Sequence, residues 1–293
     1  MNLCNPTVIR EIMARAGIKF RHDYGQNFLV DPTVPERIAA MCADTKDRLV
    51  LEVGPGIGCL TQELAEIYQK VAAVEIDRGL IPVLAETLAD YSNVTVTNAD
   101  IMKVDLPTFI REQTADMGDE GSVKVSVCAN LPYYITTPIL MRLLECGVKF
   151  DTITVMIQKE VAARLAAAPG SADYGAITAV LGYYGEVRKL FGVPSGAFMP
   201  APKVDSAVIR IDLYDAPPFY VENKDFFFRV LHGAFEMRRK TLVNAVSAKI
   251  PNLEKSTISR VLLEMGLSDT IRGERLSTAQ FADLANRLYA LLN

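Results

Sequence analysis

The chain has 293 residues, half of them hydrophobic and 23% charged, which suits a globular protein of one large and one smaller domain. No apolar run reaches the roughly 18 residues of a membrane span; the five cysteines (Cys4, Cys42, Cys59, Cys128, Cys146) form no CxxC pair, and with only His22 and His232 beside them no metal site is expected. The net charge of −4 gives no global sign of nucleic-acid binding, but residues 224–260 hold eight bases and three acids, so an acidic body of −9 carries a stretch of +5 that is compatible with RNA.

Taken in order, the first twenty residues lack the apolar centre of a signal peptide, and Glu11 and the absence of Ser argue against a transit peptide. A cytoplasmic protein is expected. From about residue 47, short β-branched runs at 49–53, 71–76, 94–97, 123–128 and 153–157 alternate with helical patterns at 60–68, 80–88 and 139–144. This alternation predicts an α/β fold, a mainly parallel sheet with helices on both faces and ligands at the carboxyl ends of its strands. The segment 114–121 reads as a polar loop. A further strand fits 183–193, and 204–213 alternates as a final one, with Val204, Ser206, Val208, Arg210 and Asp212 on one face. Asp215-Ala216-Pro217-Pro218 is a breaker, followed only by helical patterns at 225–234, 240–248, 256–265 and 278–292. The domains expected are therefore 1–214, Rossmann-like, and 215–293, all-helical.

Leu51-Glu52-Val53-Gly54-Pro55-Gly56-Ile57-Gly58 follows the first strand and opens a helix. Glycines there allow a tight turn and close approach of a ligand to the backbone. A dinucleotide site wants GxGxxG, but residue 59 is Cys and the pattern is GxGxG, which suits a cofactor without a pyrophosphate, such as S-adenosylmethionine. The glycines alone also fit a plain strand-to-helix turn. Val74-Glu75-Ile76-Asp77 ends the second strand and places Glu75 where an acid accepts from ribose hydroxyls. Asn98-Ala99-Asp100 ends the third, where a carboxylate can accept from the cofactor's adenine amine. Each acid alone reads as a solvated strand end; their coincidence at successive strands points to one cofactor site.

Asn130-Leu131-Pro132-Tyr133 directly follows the fourth strand. Adenine N6 is a poor nucleophile because its lone pair is delocalised. The Asn130 oxygen and the Leu131 carbonyl, aimed by Pro132, can accept its two hydrogens, and Tyr133 can stack the extruded base. Orientation and hydrogen bonding are then the main catalytic contributions. A turn with one core aromatic is the plainer reading of the same four residues.

With these motifs in place, the sequence resembles the small-subunit ribosomal RNA adenine N6,N6-dimethyltransferases over nearly its whole length. Tyr24-Gly25-Gln26-Asn27-Phe28-Leu29 matches the family's first motif, although Asp23 and Tyr24 stand where relatives more often carry a small or basic residue and Leu. Residues 52–58, 74–77, 98–100 and 130–134 match the next four in order. Further matches are Gln158-Lys159-Glu160-Val161-Ala162, Phe198-Met199-Pro200-Ala201-Pro202-Lys203-Val204-Asp205-Ser206, the basic helix over residues 235–242, and Arg275-Leu276-Ser277. The resemblance implies cofactor contacts at Asn27, Leu29, Gly54, Gly56, Glu75, Ile76, Asp100, Ile101 and Asn130, with residues 1–30 closing over the cofactor. It implies that Phe198 faces Tyr133 across the target base, and that Arg238, Arg239 and Lys240 meet RNA phosphates. Without the family, Phe198 reads as a core aromatic and the three bases as a solvated face. The implied function is dimethylation of two adjacent adenosines near the 3′ end of small-subunit ribosomal RNA, within an immature 30S-type particle and by a monomer. Three rival readings are a large-subunit RNA methylase of the erythromycin-resistance type, a nicotinamide oxidoreductase and a non-catalytic ribosome-assembly factor. An assembly-checkpoint role beside catalysis is also compatible with a basic helical domain.

Overall fold

A computed structural model describes residues 1–17, 27–118 and 122–292, so Tyr24, Gly25 and Gln26 of the first motif lie outside the described residues. Its elements in chain order are α1 (Pro6–Arg15), β1 (Phe28–Leu29), α2 (Thr33–Met41), β2 (Arg48–Val53), α3 (Cys59–Ile67), β3 (Lys70–Glu75), α4 (Ile81–Thr87), β4 (Val94–Asn98), α5 (Leu106–Thr114), β5 (Lys124–Asn130), α6 (Thr136–Glu145), β6 (Thr152–Gln158) and α7 (Lys159–Leu165). There follow α8 (Ala176–Tyr184), β7 (Gly185–Val193), β8 (Phe198–Met199), β9 (Ser206–Leu213), α9 (Lys224–Glu236), α10 (Leu242–Lys249), α11 (Lys255–Glu264) and α12 (Thr278–Ala290).

Seven strands form one sheet in the order β4-β3-β2-β5-β6-β9-β7. Strands β2 to β6 run parallel, and β9 returns antiparallel to β6. Every residue of β2 is buried, as a central strand covered on both faces must be. Sequential order reverses between β2 and β5, which opens a crevice at their carboxyl ends. The final strand expected over 204–213 is present as β9, beginning at Ser206, and its first six residues are buried on both faces because β9 lies inside the sheet. Arg210 is tolerated there because it is paired with Asp44 at 2.8 Å and Asp212 at 2.7 Å.

Local signals explain the helix starts. Asn5 caps α1 by accepting from the Thr7 amide at 2.9 Å, with Pro6 at its first position. Asn223 caps α9 through the Phe226 amide, and Ser277 and Gln280 form a reciprocal capping box at α12.

The chain divides into two compact units: Met1–Ala162 with Arg188–Leu213, and Ala163–Val187 with Tyr214–Asn293. The linear division expected at 214/215 misses that residues 163–187, including α8, belong to the second unit. The reason is packing. Tyr183 of α8 meets Phe227 and Phe228 of α9 at ring-centroid distances of 5.4 and 5.2 Å. Within the same unit Gly233 lets α10 approach α9 closely, since a Cβ there would stand 2.9 Å from the Lys249 Cβ.

Candidate active site

The glycine turn after β2 requires glycine sterically. Gly54, Gly56 and Gly58 have φ of 70°, 62° and 97°, and a Cβ on Gly56 would meet Phe28 at 3.3 Å. Phe28 thus seats β1 over the turn. At the end of β3 the Glu75 carboxylate is buried, with one oxygen accepting from the Gly56 amide at 3.2 Å and the other from the Asp77 amide at 2.7 Å. Burial holds the Glu75 pKa above the ordinary carboxylate value, and the Asp77 and Gly56 amides pull it back.

Asn27, Leu29, Gly54, Gly56, Glu75, Ile76 and Asn130 line a single cavity of about 780 Å³ including its open mouth. Pro132 and Tyr134 line it too. This lining could hold S-adenosylmethionine: it offers a fixed buried carboxylate able to accept from hydroxyls, glycine backbone open to close approach, and the apolar side chains of Ile76 and Leu29. Asp100 and Ile101 are not among the lining residues. Asp100 instead accepts from the Met102 amide at 3.0 Å and lies 3.7 Å from the Lys103 ammonium, just past β4, while Ile101 is buried. The Asn98 side-chain amide donates to the Glu75 carbonyl at 2.8 Å, tying that corner to β3.

Asn130 is the last residue of β5 rather than a residue after it. The Leu131 amide donates to the Met156 carbonyl of neighbouring β6 at 3.1 Å. The Pro132 carbonyl accepts from the Thr136 hydroxyl at 3.1 Å, so the turn is held on both sides. Leu131 is buried, and the Tyr133 hydroxyl is 2.6 Å from the Ser206 hydroxyl at the start of β9. Tyr133 does not line the cavity; the 63% exposed Tyr134 does. Phe198 is buried in β8, directly opposite Leu29 in β1, within a cluster that includes Val34, Met156 and Val208.

The glycine motif brings one further residue to this site, to which sequence reasoning assigns no role. Glu52 lies in fully buried β2, lines the cavity, and has one carboxylate oxygen with no hydrogen-bond partner among the described residues. Burial pushes its pKa up to about 8, opposed by the Thr61 hydroxyl and reinforced by the Glu75 charge. The signal in the sequence is an acid inside the apolar run 49–53.

The basic residues are not on a helix as expected. Helix α9 ends at Glu236 and Thr241 caps α10, so Arg238, Arg239 and Lys240 occupy the turn between them. Met237, with φ −121° and ψ 60°, leaves the helical region. Arg238 lies 3.7 Å from Glu274, whereas Arg239 and Lys240 are exposed. Among the described residues no group of three or more His, Cys, Asp or Glu could hold a metal ion, and no helix is long and apolar enough to cross a membrane.

The pattern of the family described as ribosomal RNA adenine dimethylase matches residues 17–289. A ribosomal RNA small subunit methyltransferase A from Lachnoclostridium phytofermentans is 46% identical, covering 97% of this chain and 97% of its own. The protein of the same name from Anoxybacillus flavithermus is 42% identical, covering 99% and 97%. Among solved structures, the 23S rRNA methyltransferase ErmE superposes with a TM-score of 0.68 at 26% identity, covering 90% of this chain and 100% of its own. A dimethyladenosine transferase from Plasmodium falciparum shares the fold with a TM-score of 0.71 at 24% identity, covering 87% and 95%.

Proposed function

The chain belongs to the ribosomal RNA adenine dimethylase family, and from that premise we propose that it dimethylates N6 of two adjacent adenosines near the 3′ end of small-subunit ribosomal RNA. It is an S-adenosylmethionine-dependent methyltransferase of ribosomal RNA. The observation that carries the site assignment is the convergence of Gly54, Gly56, Glu75 and Asn130 on one cavity at the switch point of the sheet.

Glu75 would hold the cofactor's ribose, with Asn27, Leu29, Gly54, Gly56 and Ile76 around it and Asp100 and Ile101 toward its adenine. When bound, S-adenosylmethionine supplies a methyl group on a positively charged sulfur. The Asn130 side-chain oxygen and the Leu131 carbonyl accept the two N6 hydrogens of the target adenine. That would draw the lone pair onto nitrogen and turn it toward the methyl group that the cofactor would supply. The proton leaves N6 for solvent afterwards, and no side chain need act as general base. The target base stacks on Tyr133, which Ser206 holds by its hydroxyl, and Phe198 supports the opposite side. Met1–Ala162 with Arg188–Leu213 carry this chemistry, and the helical unit of Ala163–Val187 with Tyr214–Asn293 docks the RNA, with Arg238, Arg239 and Lys240 on phosphates. The substrate is an immature 30S-type particle, met by a monomer in the cytoplasm.

The large-subunit alternative has a specific observation behind it, the likeness to ErmE. The higher identity to proteins named for the small subunit favours the small-subunit reading. Offering the enzyme undermethylated small subunits and large-subunit RNA in parallel tests the choice. Transfer to the small subunit alone is expected, and transfer to the large-subunit RNA alone would reverse it.

A further inference from the structure

Helix α9 presents Phe228, Arg229, His232 and Phe235 at spacings of about one turn, so they share one side of the helix. Together with Asp225, Glu236 and Lys249 of α10, they line an open groove of about 1100 Å³ in the second unit. Its two phenyl rings are anchored from behind. Phe228 packs against Tyr183 and Phe227, and the Lys224 ammonium stands 5.9 Å from its ring centre. Phe235 packs against Tyr174 and Phe281. Both rings remain partly exposed on the groove side, and exposed His232 lies between them, 6.3 Å from Phe228 with ring planes 33° apart.

The polar groups of the groove are not equivalent. Lys249 is ion-paired with Glu236. Arg229 is exposed, and no hydrogen bond or ion pair engages it among the described residues. Two acids balance two bases, so the groove offers flat ring faces and one free guanidinium rather than a strong field. That combination suits one nucleotide: a base stacks on rings whatever its identity, and a guanidinium takes its phosphate. A duplex, whose bases are already stacked, would leave the rings unused. The groove also runs along the helix that ends in the Arg238–Lys240 turn, so a strand crossing that turn would continue into it.

We propose that this groove holds an unpaired nucleotide of the ribosomal RNA, with its base on His232 and Phe228 and its phosphate on Arg229. The proposal rests on the RNA-docking role given above to the helical unit. It adds a stacking subsite to the basic turn.

The test is binding of the full chain to undermethylated small subunits, and to naked small-subunit ribosomal RNA, over a series of salt concentrations. His232→Ala is expected to weaken both about ten-fold without changing the salt slope, and His232→Tyr to restore them. Arg229→Ala is expected to lower the slope by about one phosphate contact. Both residues are exposed, and circular dichroism of each variant checks that it folds. If the parent binds RNA and all three variants bind like it, the groove proposal alone fails. If the variants lose affinity for the particle but not for naked RNA, the groove meets a ribosomal protein and the proposal is overturned. If the parent binds neither, the RNA-docking reading fails and takes this proposal with it.

Discussion

The Glu75 carboxylate and the Gly56 amide, 19 residues apart in sequence, are joined by a 3.2 Å hydrogen bond in the wall of the cavity at the strand ends. With the Asp77 amide on its other oxygen, the carboxylate is fixed before any ligand arrives. Glu75→Ala should raise the dissociation constant for S-adenosylmethionine on the order of 10- to 100-fold, the cost of about one or two charge-assisted hydrogen bonds. Titration calorimetry measures this, and unchanged affinity would remove Glu75 from the ribose site.

In the proposed mechanism Asn130 carries the chemistry, so its loss should separate turnover from binding. Asn130→Ala is expected to lower kcat by about 10²- to 10³-fold, the scale of one preorganised polar group at a reacting centre. The affinity for S-adenosylmethionine should change only a few-fold, because Glu75 and the glycine turn remain. A variant with near-normal single-turnover rates would remove Asn130 from the catalytic role.

The three bases of the α9–α10 turn should differ in effect. Arg239→Ala and Lys240→Ala should each reduce the salt dependence of RNA binding by about one phosphate contact. Arg238 is already close to Glu274 and to the Ala172 and Tyr174 carbonyls, so Arg238→Ala should reduce it less. Equal slopes for all four proteins would argue that the turn does not touch phosphate.

These residues also mark where the sequence was legible. The parallel strands and the order of their motifs were readable because buried β-branched runs and glycine turns are local signals. Residues 163–187 were not, since their assignment to the helical unit depends on Tyr183 meeting Phe227 and Phe228, a contact across some forty residues. The basic turn was expected as helix because charge and propensity are compatible with either; Thr241, by capping α10, decides it. The placement of Tyr133 beside Ser206, and of Phe198 opposite Leu29, depends on β9 pairing with β6 and β8 pairing with β1. A linear pattern does not contain that pairing.

Glu52 supplies a pH signature. Its folded pKa of about 8 lies above the ordinary 4.5, so its protonated form favours the folded state. That contribution is fully present below about pH 4.5 and is lost as pH rises to about 8, with an upper limit of about 5 kcal/mol. Glu52→Gln removes the titration. Relative to the parent, the variant should therefore gain stability between about pH 5 and about pH 9 in urea unfolding. A difference between the two proteins that is the same at both ends would contradict the buried, neutral state of Glu52.

The most direct measurement is transfer of labelled methyl from S-adenosylmethionine to undermethylated small ribosomal subunits, followed by nucleoside analysis, with Asn130→Ala alongside. N6,N6-dimethyladenosine is expected with the parent and almost none with the variant. Label in another nucleoside, or no transfer by a protein that binds S-adenosylmethionine, would overturn the proposed function.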